Sequence, residues 1–149
     1  MTAMHRFRVL GVAAAMAIAV AGCSGGSTPA PSAEAGGGAS TVDITLAEWS
    51  VTPSTTTAAP GAVTFRVTNE GTVVHELIVV KTDTKADALP VADGKVAEDG
   101  LTVVDEVEDV AAGTTADLVL AGLDAGHYAI FCNISGHYSQ GMHADFDVK

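Results

Sequence analysis

The 149-residue sequence has little positive charge: 7 Lys and Arg residues stand against 18 Asp and Glu, a formal net charge of −11. Such a chain has no basic stripe with which to track a phosphate backbone, which argues against nucleic acid as a partner. Cysteine is equally scarce. Cys23 and Cys132 are the only two, too few for a disulfide-rich scaffold or for a four-cysteine zinc or iron–sulfur site. Aromatic residues make up 5% of the chain, and the strand-to-helix motif that presents a hydrolytic serine is missing. What remains is 48% hydrophobic residues, enough for the packed core of one domain.

The first segment reads as a targeting signal. His5, Arg6 and Arg8 give a short basic start, and the fourteen residues from Val9 to Gly22 carry no charge. That run is too short to cross a bilayer comfortably but suits the core of a signal peptide. It ends Val20-Ala21-Gly22-Cys23, which resembles the bacterial lipobox and would make Cys23 the lipidated first residue of the mature protein. A plain secretory signal or a buried helix are the alternatives. Residues 1–22 are thus expected to be a lipoprotein signal peptide, with several acyl chains on Cys23 holding the chain to the cell membrane outside the cytoplasm.

From Ser24 to Thr41 the sequence is Gly, Ser, Ala, Pro and Thr with one charge at Glu34. This composition cannot bury enough surface to order itself, so residues 23–41 are expected to act as a flexible leash. Eighteen such residues reach roughly 20–25 Å on average. Loss of Arg6 and Arg8 with the signal would leave five basic residues against 18 acidic ones. An acidic mature protein points to basic protein partners more than to anionic lipid.

Beyond Val42 the pattern is that of strands. Val63, Phe65 and Val67 alternate with Thr64, Arg66 and Thr68, and Asn69-Glu70-Gly71 closes the run with a turn signal. Val42–Leu46, His75–Lys81, Val103–Val110, Ala116–Leu120, Gly126–Cys132 and Ala144–Lys149 are further strands, with Trp49-Ser50-Val51 continuing or following the first. Turn residues at Pro53, Pro60-Gly61, Ala112-Gly113 and Asp124-Ala125-Gly126 separate them at the spacing of a sandwich or barrel. The expected fold is all-β, with about seven or eight strands over residues 42–149. Thr82 to Gly100 interrupts the pattern and is expected to be an irregular excursion with one helical turn.

The chemistry lies near the C-terminus. Cys132, His137 and Met142 fall within eleven residues between two strands. A thiolate and imidazoles with a weak axial thioether form the ligand set of blue copper electron-transfer sites. That set requires one more histidine. His75 is the best candidate, because it opens a strand where its side chain can point into the end of a sandwich. Each residue also has an ordinary reading: Cys132 as a buried apolar residue or a disulfide partner of Cys23, Met142 as core filler, His75 as a hydrogen-bonded strand residue. Gln140 is a second candidate for the axial position.

At these residues the chain resembles the cupredoxins, the small blue copper proteins. The resemblance covers about residues 42–149. It rests on Glu48-Trp49, on Ala59-Pro60-Gly61 before Val-Thr-Phe-Arg-Val-Thr-Asn, on His75-Glu76, and on Gly126-His-Tyr-Ala-Ile-Phe-Cys132 with the loop that follows. The spacing Cys-x4-His-x4-Met is similar to that of rusticyanin, auracyanin and sulfocyanin. The resemblance implies a Greek-key β-sandwich with one copper near one end, bound by His75, Cys132 and His137 with Met142 axial, and His137 close enough to the surface to pass electrons. Gly136 and Gly141, each before a ligand, would allow turns that a Cβ would obstruct. In several cupredoxins Asn follows the first histidine and ties the ligand segments together. Here Glu76 takes that place, and a bond from its carboxylate to the amide of Asn133 is expected to replace the tie.

His127 and His143 are expected to lie outside the site, since alternation sets His127 on the face opposite Cys132 and His143 directly follows Met142. Asp105-Glu106-Val107-Glu108-Asp109 puts four acids on one strand, either as a solvated edge that discourages aggregation or as a docking patch for a basic redox partner. Two functions follow. One is a membrane-tethered carrier of single electrons between extracytoplasmic redox proteins such as a cytochrome or an oxidase. The other is copper binding for sequestration, delivery or resistance, which favours exposed Met- and His-rich tracts that the chain lacks. Catalysis at copper needs further histidine clusters such as His-x-His pairs, and none is present, so the chain is not expected to be an enzyme.

Overall fold

The structure, a computed structural model, describes residues 39–149. The signal segment 1–22, Cys23 and linker residues 24–38 lie outside the described residues. The strands are β1 (Ser40–Ala47), β2 (Ser50–Pro53), β3 (Thr57–Ala58), β4 (Gly61–Asn69), β5 (His75–Lys81), β6 (Val91–Ala92), β7 (Lys95–Val96), β8 (Thr102–Val110), β9 (Thr115–Leu123), β10 (Gly126–Phe131) and β11 (His143–Val148), with one 3₁₀ turn at Tyr138–Gln140. Eight of them exceed three residues, as the sequence pattern predicts. Ser40 and Thr41, read from composition as linker, already belong to β1 and pair with Val63 and Thr64 of β4.

Two sheets face each other, one in the order β2-β1-β4-β9 and the other β3-β11-β10-β5-β8. The parallel pairing of β1 and β4 sets Val42 beside Phe65 and Ile44 beside Val67, so the alternating apolar positions of both strands share the inner face. Leu118 and Leu120 of β9 complete that layer. Leu77, Val79, Tyr128, Ile130, Phe146 and Val148 face it from the second sheet. Phe65 and Phe146 meet edge to face at the centre, 5.1 Å between ring centroids.

The segment from Thr82 to Gly100 departs from expectation. It holds no helical turn; β6 and β7 form a hairpin instead. Asp93 and Gly94 turn its corner with φ of 51° and 79°, the double positive φ of the tightest hairpin connection. The Asp-Gly pair between Val91-Ala92 and Lys95-Val96 is the sequence signal for that turn, masked here by polar surroundings. The excursion covers the outer face of the second sheet, where Ala86, Leu89 and Val96 pack on Ile78, Val80, Ala129, Phe131 and Tyr138. Strands β5 and β10 are therefore buried on both faces. This is why their sequences run apolar without alternation.

Strand β8 is an outer strand of the second sheet. Asp105, Glu106, Glu108 and Asp109 are all exposed along it. Between the pairs Leu77–Val107 and His75–Val110 the register slips, and Asp109 takes a φ of 52° there. The acids thus line a bulged, charged edge, the arrangement that blocks pairing with another sheet.

Candidate metal centre

Three strand ends meet at one end of the second sheet. Antiparallel pairing sets Phe131, the last residue of β10, opposite both Ile78 of β5 and His143 of β11. One step further, the Cys132 N–H donates to the Met142 carbonyl at 3.0 Å, and the Asn133 N–H donates to Oε1 of Glu76 at 2.9 Å. The first bond continues the β10–β11 ladder past its last regular residue, the second ties the chain to a side chain of β5, and both bring Cys132, Met142 and the start of β5 together. His75, the first residue of β5, is completely buried, as are Cys132 and Met142.

The connection from Cys132 to Met142 is wound tightly. The His137 N–H donates to Ile134 O at 2.9 Å, and the His137 carbonyl accepts from Gln140 and Met142 at 3.1 and 3.3 Å. Gly136 and Gly141 adopt φ of 83° and 117°, as expected of residues placed where an L side chain would be strained. At Gly141 a Cβ would also come within 3.1 Å of the Trp49 carbonyl.

Within this pocket the donor atoms of His75, Cys132 and His137 all lie within 4.8 Å of one another. Nδ1 of His75 is 3.2 Å from Nδ1 of His137, and Cys132 Sγ is 4.0 Å from the former and 3.4 Å from the latter. Nitrogen and sulfur donors bonded at about 2.0–2.3 Å to one central ion would sit about 3.5 Å apart in a trigonal plane. The observed separations match that arrangement. Burial holds both imidazoles below the usual histidine range, so each is neutral and has a lone pair to give near pH 7. Burial also pushes the Cys132 thiol up, and an ion that takes its sulfur must displace the proton. Two imidazoles, one thiolate and a buried thioether fit one type 1 copper, whereas structural zinc sites bind through two to four thiolates and no thioether.

The surroundings correct one expectation and add two residues. Glu76 does tie the ligand segments, but through the main-chain N–H of Asn133 rather than its side-chain amide. Burial raises the Glu76 carboxyl, with the Asn133 N–H opposing. The Asn133 side chain turns to the excursion: its Oδ1 accepts the Val96 N–H at 2.6 Å, and its Nδ2 donates to Val96 O and to Glu98. Sequence reasoning gave Glu48 and Trp49 no role. Oε1 of Glu48 accepts the Thr72 and Val73 N–H groups at 2.7 and 3.0 Å and lies 3.5 Å from Nε2 of His75. Those amides, Thr72 foremost, hold its carboxyl down at about 2. The Trp49 ring meets His137 edge-on at 5.0 Å and stays 40% exposed.

The remaining candidates fall elsewhere. Gln140 is exposed and its amide reaches only the Gly136 carbonyl. The His143 ring lies against Tyr138 at 5.0 Å between centroids, tilted by 48°. His127 lies toward the start of β10, its Nδ1 2.8 Å from Asp147 and its Nε2 3.2 Å from Asp145. Asp145 also receives the Ala86 N–H at 2.8 Å and Lys85 Nζ at 3.1 Å, so it pins the beginning of the excursion to β11.

The Sulfocyanin (SoxE) domain family matches residues 55–149. Among proteins of curated function none matches. Among solved structures, the dithionite-reduced auracyanin of the photosynthetic bacterium Roseiflexus castenholzii aligns at 17% identity and a TM-score of 0.56, over 76% of this chain and 99% of its own. Auracyanin A of the green thermophilic photosynthetic bacterium Chloroflexus aurantiacus, described as a "blue" copper protein, aligns at 24% identity and 0.51, over 73% and 98%. Auracyanin B aligns at 21% and 0.52, over 74% and 89%. At these identities the likeness is one of fold.

Although burial by itself raises Asp145, its bonds from Ala86 and Lys85 bring the carboxyl below 3.8. A carboxyl lower in the folded than in the unfolded state stabilises fully above the unfolded value, and the contribution fades as pH falls through the folded one. Asp145→Asn should therefore lower stability at pH 7 by about 1 kcal/mol, because these partly exposed charges are screened by water. In thermal melts the gap to the parent should narrow below about pH 4; a gap unchanged down to pH 3 would refute this.

Proposed function

This chain belongs to the sulfocyanin domain family, and on that premise we propose that it carries single electrons between redox proteins outside the cytoplasm. The observation that carries the reading is the convergence of two imidazole nitrogens and one thiol sulfur within 4.8 Å of one another in a buried pocket. His75, Cys132 and His137 are the residues that would hold the copper, and the buried thioether of Met142 would serve as a further, weaker donor. When bound, copper cycling between its cupric and cuprous states supplies the one-electron chemistry.

The chain's own residues do the rest. The main-chain bond from Cys132 to Met142 and the bond from the Asn133 N–H to the Glu76 carboxylate hold the donor-bearing segments whether or not an ion is present, which limits ligand movement on electron exchange. Burial of His75, Cys132 and Met142 shields these three donors from bulk water. His137, half-buried against the exposed Trp49, is the ligand nearest the surface and the route for electrons. The reading is of a carrier, not an enzyme.

The basic start, the uncharged run and the Gly22-Cys23 junction support a lipid anchor on Cys23. A leash of small residues would let the domain pivot between donor and acceptor at the membrane surface. The exposed acids of β8 end beside His75, whose partner across the ladder is Val110. They favour redox partners with basic surfaces.

A purified domain supplied with Cu(II) should take up one ion per chain, turn intensely blue and bleach reversibly with ascorbate. His75→Ala, Cys132→Ser and His137→Ala should lose the colour, whereas His127→Ala and His143→Ala should keep it. Tight colourless Cu(I) binding without reversible voltammetry would point to sequestration instead. In cells, Cys23→Ser should shift the protein from the membrane to the soluble fraction; continued membrane attachment would rule out the anchor. Replacing Asp105, Glu106, Glu108 and Asp109 by their amides should flatten the salt dependence of electron transfer to a basic cytochrome, and unchanged kinetics would reject the docking role.

A further inference from the structure

The β1–β2 corner places a carboxylate behind His75, on the side away from the sulfur. Oε1 of Glu48 is clamped by the Thr72 and Val73 N–H groups, so it cannot swing freely. Gly71 leaves the room it needs, since a Cβ there would come within 2.6 Å of the same oxygen. Nε2 of His75 is buried and has no hydrogen-bond partner; Oε1 of Glu48, at 3.5 Å, is the carboxylate oxygen it faces. That separation exceeds an N–H···O bond of about 2.9 Å, so the contact is chiefly electrostatic until the ring turns slightly.

A neutral imidazole carries a proton on only one nitrogen. Nδ1 of His75 faces Cys132 Sγ and His137 Nδ1, and it must be bare to bind an ion. The proton then belongs on Nε2, where a buried N–H requires an acceptor.

We propose that Glu48 is a positioning residue of the metal centre: its fixed carboxylate receives the Nε2–H of His75, sets the tautomer that leaves Nδ1 bare, and favours the cupric over the cuprous state. The proposal rests on the copper reading above. Carboxylates that orient metal-binding histidines in this way raise the basicity of the ligand. The added negative charge stabilises the more highly charged ion.

Glu48→Gln keeps the shape and an oxygen that can accept from Thr72 and Val73, but removes the charge. In the copper-loaded protein it should keep the blue band and shift the Cu(I)/Cu(II) affinity ratio at least tenfold toward Cu(I), a rise in potential of about 59 mV or more for a one-electron couple. A smaller shift, or one of opposite sign, would overturn the proposal even if the variant melted earlier, because a purely structural role for Glu48 would lower stability without moving the potential. A second measurement needs no metal. Nitrogen NMR of the metal-free parent should show His75 protonated on Nε2, and Glu48→Ala should show a mixture of tautomers. A proton on Nδ1 in the parent, or an unchanged tautomer in Glu48→Ala, would overturn the proposal independently. A parent protein that takes up no copper would count against the electron-carrier reading, and the metal-free measurement would still decide the role of Glu48.

Discussion

The centre depends on a β-ladder that does not stop where its regular strand stops. The Cys132 N–H bonded to Met142 O carries the pairing of β10 with β11 one step past Phe131, and on the other side the Glu76 carboxylate of β5 takes the Asn133 N–H. With the loop bonds around His137, donors 57, 62 and 67 positions beyond His75 are held by hydrogen bonds of the chain itself rather than by the ion. Buried hydrogen bonds of this kind are costly to leave unmade, so the pocket is strongly specified by the fold before any metal arrives.

The same economy shapes the second sheet. Its central strands are covered on one face by the first sheet and on the other by the excursion around the Asp93-Gly94 hairpin. Asn133 serves both sides at once, its main chain bound to Glu76 and its side chain matching the donor and acceptor of Val96. The ligand loop is also bonded to this hairpin directly, the Gly136 N–H to Gly94 O at 2.7 Å. The polar excursion is therefore part of the wall of the site.

Much of this was legible in the sequence, for reasons tied to particular residues. Alternation in Val63–Val67 marks a strand with one wet face, and the soft donors Cys132 and Met142 with His137 between them announce a metal site by their chemistry alone. His75 could be named because a strand start can project a side chain from the end of a sandwich. Glu48 could not: its contact with His75 is made by the turn between two other strands, and no spacing encodes that meeting. The route of the Glu76 tie was hidden for a similar reason. Whether a carboxylate takes a main-chain or a side-chain N–H depends on a register that composition does not specify. The hairpin in the excursion had its Asp-Gly signal, but it pairs only two residues on each side and lacks the alternation that normally draws the eye.

The acidic, kinked margin along β8 has a bearing on how this molecule meets others. An outer strand that refuses main-chain pairing leaves only side chains to make an encounter, and contacts of that kind dissolve about as readily as they form. Brief association is what a shuttle needs, because every visit to a donor must end before the next acceptor can be reached. A border that protects against clumping thus also keeps any encounter along it brief.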